Sequence, residues 1–207
     1  MKFPESQHAH KWLDGLTGLE VGGSAHNAFG LNTLNVDYAD DPNTVFKQSE
    51  VQMCGEYMPV DIVADGTKIP VADKSFDFVI SSHVIEHFFD PIAALKEWSR
   101  IARKYIYIIC PKRDALESDR ALPLTPIEEI ELRHSGDIPA PEIDLHGHYS
   151  RWTPKTFCDM CEAHGFFVID CLETDDKVGN GFTVILKPLH KIPQLPPVTK
   201  PITQIRH

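Results

Sequence analysis

The pattern of hydrophobic and polar positions predicts an alternation of short buried strands and amphipathic helices. Two runs, 76–81 and 105–110, are predominantly apolar, as strands buried on both faces of a parallel sheet require. Between them, Asp90 and Pro91 form a helix start signal, and Leu95 and Trp98 then fall on one helix face. The complete set of predicted strands is 18–21, 33–36, 60–64, 76–81, 105–110, 166–171 and 182–187.

These strands predict an α/β, Rossmann-like fold with a mainly parallel seven-stranded sheet, an antiparallel last strand and flanking helices. Residues 111–152 are proline-rich and long for a connection, which indicates an inserted cap. Thr125 is expected to begin a cap helix with a capping box, and Thr153 a later helix that stops at Gly165. The domain should span 1–187, followed by a proline-rich arm, 188–207.

Composition narrows the possible partners. The 207 residues carry 20 basic and 30 acidic side chains, a net charge of −10. This balance argues against nucleic-acid and anionic-membrane binding, which need a basic surface. The longest apolar run, 105–110, cannot span a bilayer, and no secretory signal pattern is present. Five cysteines indicate reduced thiols, so we expect a cytoplasmic protein; the oligomeric state stays open.

Acidic residues mark the ends of the first three predicted strands. Glu20 belongs to the first, Asp37 follows the second and Asp65 follows the third. Because ligands of open α/β sheets bind at the carboxyl ends of the strands, these acids are expected to converge on one crevice. A carboxylate such as Asp37 can accept both hydroxyls of a ribose. The sequence therefore indicates an adenosine cofactor.

The first loop discriminates between adenosine cofactors. Gly22 is followed by Gly23, Ser24, Ala25 and His26, which does not match G-x-G-x-x-G, and few residues remain for a helix before the second strand. Pyrophosphate binding by an NAD-dependent reductase is therefore poorly supported. S-adenosylmethionine has no phosphate and carries a cationic sulfonium, which suits a crevice lined by carboxylates.

With these motifs, the chain resembles class I S-adenosylmethionine-dependent methyltransferases. Residues 18–24 resemble the first motif of that family, 35–37 its ribose-binding acid and 64–70 its adenine motif, and 74–91 closely resemble the fourth, Glu-His-containing motif. The resemblance covers about 17–187. It implies S-adenosylmethionine as the cofactor and a cofactor site made of Glu20, Gly22, Ser24, Asp37, Asp65, Gly66, Ser82 and His83.

Histidines are the candidate bases if the acceptor must lose a proton, because imidazole titrates near neutrality. His83 and His148 are the predicted catalytic residues, and His146 is a further candidate. His87 is expected to bond to a backbone carbonyl instead. The acceptor is expected to be a small molecule or a sugar-like group.

Two other interpretations compete with a catalytic methyltransferase. The irregular first motif leaves open a catalytically silent fold that binds a nucleoside or a protein partner. Cys158 and Cys161, with His146, His148 and His164, have the composition of a zinc site, but helical packing beside Phe157 explains the cysteines. No metal site is therefore predicted.

Overall fold

The computed structural model describes residues 1–142 and 147–189. In this part of the chain, seven strands form one sheet in the order β3-β2-β1-β4-β5-β7-β6. Neighbouring strands from β3 to β5 are parallel, and β7 is antiparallel to both β5 and β6. The strands are β1 (Gly18–Val21), β2 (Thr33–Asp37), β3 (Ile62–Val63), β4 (Phe76–Ser82), β5 (Ala102–Pro111), β6 (Phe167–Leu172) and β7 (Gly181–Lys187). The predicted fold class and all seven strands are confirmed.

Six α-helices accompany the sheet in the described residues: α1 (Gln7–Leu13), α2 (Val45–Cys54), α3 (Pro91–Ile101), α4 (Glu117–Arg120), α5 (Ile127–Ser135) and α6 (Pro154–Ala163). The start signals of α3 and α6 are confirmed, since Asp90 and Thr153 accept the expected backbone N–H bonds. The capping box at Thr125 is wrong. Its hydroxyl accepts the N–H of Arg151 instead, and Pro126 precedes α5 without a side-chain cap.

Successive side chains of the central strands point to opposite faces of the sheet, and this divides the core into two layers. Val79 of β4 and Ile108 of β5 pack on one face of the sheet with Trp98 of α3 and Phe157 of α6. This face is the larger core. The amphipathic helices α3 and α6 cover it, as their apolar spacing predicts.

The opposite face is closed by the N-terminal helix. Phe78 and Ile80 of β4 pack there with Leu13 of α1 and with Phe29. The connection from β1 to β2 contains a single 3-10 turn, Ala25–Asn27, and no α-helix, as its short length predicts. Helix α1 and Phe29 therefore cover part of the sheet that this connection leaves open.

The division of the chain into a domain with an inserted cap, 111–152, and a C-terminal arm, 188–207, remains a prediction. Helices α4 and α5 lie within 111–152, while 143–146, including His146, and 190–207 lie outside the described residues. Within the described ranges, every helix is too short or too polar to cross a bilayer.

Candidate cofactor and acceptor site

A glycine turn follows β1 at the carboxyl edge of the sheet. Gly22 has a φ of +68°, and a Cβ there would lie 2.6 Å from a methyl group of Val84. Its N–H bonds to Val36 O at 2.8 Å, and the N–H of Gly23 bonds to Asn35 Oδ1 at 3.0 Å. Backbone conformation and space both require glycine at position 22. The turn thereby joins the ends of β1, β2 and the loop after β4.

Glu20 lies beneath this turn. Its side chain is almost fully buried, and Thr33 Oγ1 donates to Oε2 at 3.3 Å. Burial is the main cause that raises the pKa of Glu20 to about 7, while the Thr33 bond opposes the rise. Glu20 thus borders the crevice from below and is close to half protonated at neutral pH.

Asp37 stands at the tip of β2 and is held by a buried lysine. Lys47 Nζ of α2 lies 3.1 Å from Asp37 Oδ2 and 3.0 Å from Glu50 Oε1. The N–H of Tyr38 donates to Asp37 Oδ1 at 2.8 Å. A carboxylate has about four acceptor positions, so these two contacts leave Asp37 able to accept ribose hydroxyls.

Asp65 and Gly66 follow β3, the next strand of the sheet. Ala64 N bonds to Asp37 O at 2.9 Å, which brings the ends of β2 and β3 together. Asp65 is exposed, and its Oδ1 accepts from Thr67 N and Oγ1, both at 2.8 Å. Gly66 is buried, and its carbonyl accepts Trp98 Nε1 at 3.0 Å. Asp65 thus lies at the carboxyl edge of the sheet with its carboxylate exposed, while Gly66 is bonded to α3.

The remaining predicted cofactor residues border the same edge. Ser24 precedes the 3-10 turn without a side-chain cap, and Ser82 Oγ at the end of β4 accepts from Asn27 at 3.1 Å. His83 has a φ of +56°, which is rare for a residue other than glycine. Its Nε2 is buried and has no hydrogen-bond partner in the part of the chain that the structure describes, and burial lowers the pKa of His83. Such strain is typical of functional positions.

Glu86, His87 and His148 form a compact cluster beyond His83. One ligand atom from each lies within 4.8 Å of the others. The Glu86 side chain is fully buried, and among the described residues neither carboxylate oxygen has a hydrogen-bond partner. Burial raises the pKa of Glu86 to about 8 and, with the neighbouring His148, lowers that of His87 to about 4. Both groups are therefore biased towards their neutral forms.

Each histidine of the cluster is anchored through Nδ1. His87 Nδ1 lies 3.2 Å from Gly147 O, which bears out the expected bond to a backbone carbonyl, and His148 Nδ1 contacts Asp119 of α4. Acceptors at Nδ1 place the proton there and leave the Nε2 lone pairs free. The cluster therefore turns two imidazole lone pairs towards Glu86.

Three of these neighbours carry no signal that sequence reasoning could use. Lys47 and Glu50 lie on a helix without an apolar stripe, and Asp119 contacts His148 from α4. Glu86 stood inside the fourth motif, but its unpartnered burial could be seen only in three dimensions. The structure brings Asp37 and Asp65 to neighbouring strand ends and sets Glu20 beneath them.

Comparison with known proteins identifies the central region. A family model described as a methyltransferase domain matches residues 18–110, from β1 to the end of β5. Residues 18–110 are therefore similar to a methyltransferase domain. The strand order of the sheet agrees with this match, and the matched family implies S-adenosylmethionine as the cofactor. The carboxylates and the glycine turn at the strand ends fit such a cofactor.

Curated relatives share parts of this methyltransferase domain. An uncharacterized methyltransferase of Mycolicibacterium vanbaalenii is 35% identical over 95 residues, which cover 43% of this chain and 36% of that protein. Another from Schizosaccharomyces pombe is 37% identical over 51 residues, covering 25% and 18%. The chain thus spans about a third or less of the length of these relatives.

Solved structures share the fold over most of the chain. A chain of the complex between the Haloferax volcanii Trm112 methyltransferase activator and a methyltransferase has a TM-score of 0.55 at 15% identity, with 89% of this chain and 88% of that chain covered. An S-adenosylmethionine-dependent methyltransferase from Methanosarcina mazei has a TM-score of 0.52 at 16% identity, covering 89% and 98%. At this identity, the likeness concerns the fold.

Proposed function

We propose that this chain transfers a methyl group from S-adenosylmethionine to a small-molecule or sugar-like acceptor. The observation that carries the proposal is the carboxyl edge of the sheet, where the glycine turn after β1 and the carboxylate of Asp37 lie at the ends of adjacent parallel strands. The connection after β1 has no α-helix N-terminus, which suits a cofactor without phosphate.

Each cofactor residue has a role that its position supports. Asp37 accepts the ribose hydroxyls, Asp65 accepts the adenine amino group, and the backbone at Gly22 and Ser24 approaches the methionine portion. Ser82 and His83 border the sulfonium. When bound, S-adenosylmethionine supplies an activated methyl group, and the protein contributes alignment and the exclusion of water.

Proton transfer accompanies methylation of a hydroxyl acceptor. The acceptor lone pair forms the bond to the methyl carbon, the carbon–sulfur bond breaks with its electron pair left on sulfur, and the acceptor proton goes to a base. His83 and His148 are the proposed bases, because His83 Nε2 has no hydrogen-bond partner within 1–142 and 147–189 and His148 is anchored through Nδ1.

Isothermal titration with S-adenosylmethionine tests the cofactor site. The wild-type protein should bind, and Asp37→Asn should bind about 10- to 100-fold more weakly, since a lost charge-assisted hydrogen bond is worth roughly 1.5–3 kcal/mol. Asp40→Asn, at an exposed acid three residues further on, is the matched control and should bind like the wild type. Absence of binding at millimolar cofactor, or equal affinity of Asp37→Asn, would refute the assignment.

A further inference from the structure

We infer that Glu86, His87 and His148 form a binding site for a divalent transition-metal ion beside the methyl-transfer crevice. The three side chains come from two separate segments, the 3-10 turn Ile85–His87 after β4 and the end of the cap. Backbone bonds hold the segments together, because the N–H groups of Tyr149 and Ser150 both donate to Glu86 O.

The spacing of the ligand atoms fits one ion. His87 Nε2 and His148 Nε2 each lie 3.8 Å from Glu86 Oε1. These distances are too long for hydrogen bonds. Zinc bonds to imidazole nitrogen and carboxylate oxygen measure about 2.0–2.2 Å, so two ligands of one ion stand at most about 4.4 Å apart. Both 3.8 Å separations fall within this limit, and all three ligand atoms lie within 4.8 Å of one another.

The burial of Glu86 independently favours a cation at this site. Both of its oxygens are buried, and neither has a hydrogen-bond partner among the described residues. Burying a carboxylate without compensation is costly, whereas coordination satisfies its lone pairs. The His87 side chain is 23% exposed, while that of His148 is 8% exposed, so the cluster lies at the edge of the buried region.

The surroundings of both histidines match those of metal ligands. A ligating histidine usually donates its other ring N–H to a carboxylate or a carbonyl, which fixes the ring and its tautomer. Asp119 contacts Nδ1 of His148, and Gly147 O is placed to accept from Nδ1 of His87. Two imidazoles and one carboxylate suit zinc or iron(II) better than magnesium, and they leave coordination positions for a further ligand.

A role of this metal site in catalysis rests on the proposed methyl transfer. A chain of aromatic rings connects the cluster to Asp37. The ring centroids of His87 and Phe46 are 5.9 Å apart, and those of Phe46 and Tyr38 are 6.3 Å apart. Tyr38 follows Asp37 directly in the sequence. A bound ion would hold an acceptor oxygen and lower the pKa of its hydroxyl. The ion would take the lone pair of His148, which leaves His83 as the base.

Zinc binding to the chelator-treated protein tests the site without cofactor or turnover. The wild type should bind one Zn²⁺ per chain, Glu86→Gln should weaken binding at least about 100-fold, and Asp119→Asn about 10- to 100-fold. Cys158→Ser and His164→Gln are matched controls from the competing cysteine–histidine set and should bind like the wild type.

Substitution with Co²⁺ gives a measurement on the wild type in case the variants do not fold. Histidine and carboxylate ligands produce visible bands without thiolate-to-cobalt charge transfer, and thiolate charge transfer would place the ion on the cysteines. The inference is overturned by thiolate ligation, by no binding, or by equal binding to Glu86→Gln. Titration of the metal-free protein with S-adenosylmethionine separates failure of this site from failure of the cofactor site.

Discussion

Replacing the buried acid Glu20 with glutamine should stabilise the protein at alkaline pH. In the fold, the pKa of Glu20 is about 7, compared with an ordinary 4.5, and burial is the main cause. Each tenfold change in proton affinity corresponds to about 1.4 kcal/mol, so full ionisation of the buried acid costs about 3 kcal/mol. Glutamine preserves the shape and cannot ionise.

The direction in which stability changes with pH follows from the number of protons that the folded and unfolded chains bind. Between pH 4.5 and about 7, the folded chain holds a proton on Glu20 that the unfolded chain has released, so the wild type loses stability as pH rises through this window. The advantage of Glu20→Gln over the wild type should therefore grow by about 2.5 kcal/mol between pH 5 and pH 8. Comparison with the variant cancels the titration of most other groups.

Urea unfolding followed by circular dichroism at both pH values measures this difference. The matched control is Glu50→Gln, at another buried acid that is paired with Lys47 and accepts the N–H groups of Ala25 and Met58. This control should be less stable than the wild type at pH 8. A constant difference between Glu20→Gln and the wild type across the two pH values would refute the reasoning.

Two further substitutions test the fold around the site. Asp90→Ala removes the N-cap bond to Ala93 at the start of α3 and should lower the free energy of unfolding by about 1 kcal/mol; an unchanged thermal midpoint would contradict this role. Asp175→Ala should cost at least about 3 kcal/mol, because its buried carboxylate accepts four backbone N–H groups of 177–181. The exposed neighbour Glu173→Ala should remain within about 0.5 kcal/mol of the wild type in the same urea experiment.

The strands and three helices could be predicted because their signals are local. The centres of β4 and β5, 78–80 and 105–110, are apolar, and α3 and α6 each begin with a capping residue followed by proline. The predicted cap helix is found as α5, without its capping box. Helix α2 was missed because its pattern is inverted. Val45 and Val51 are exposed, while Lys47 and Glu50 are buried. Hydrophobic periodicity cannot identify a helix that is held by buried ion pairs.

The sequence predicts only those parts of the candidate site that follow from the order of the parallel strands. The acids at the ends of parallel strands must meet at one edge, which is why Asp37 and Asp65 could be paired from the sequence. The contacts of Lys47 with Asp37 and of Asp119 with His148 join elements with no local relation. The charged partners of Asp37 and His148 therefore depend on tertiary packing and cannot be found from local sequence patterns.

The position of α1 has a consequence for how the chain is made. Its N-cap Ser6 donates to Asp176 at 2.6 Å, a contact between residues 170 positions apart. During synthesis, the first helix must wait until nearly the entire described chain has left the ribosome before this contact can form. Until then, the apolar sheet face around Ile80 lacks part of its cover. The nascent protein would accordingly depend on chaperones more than its native form suggests.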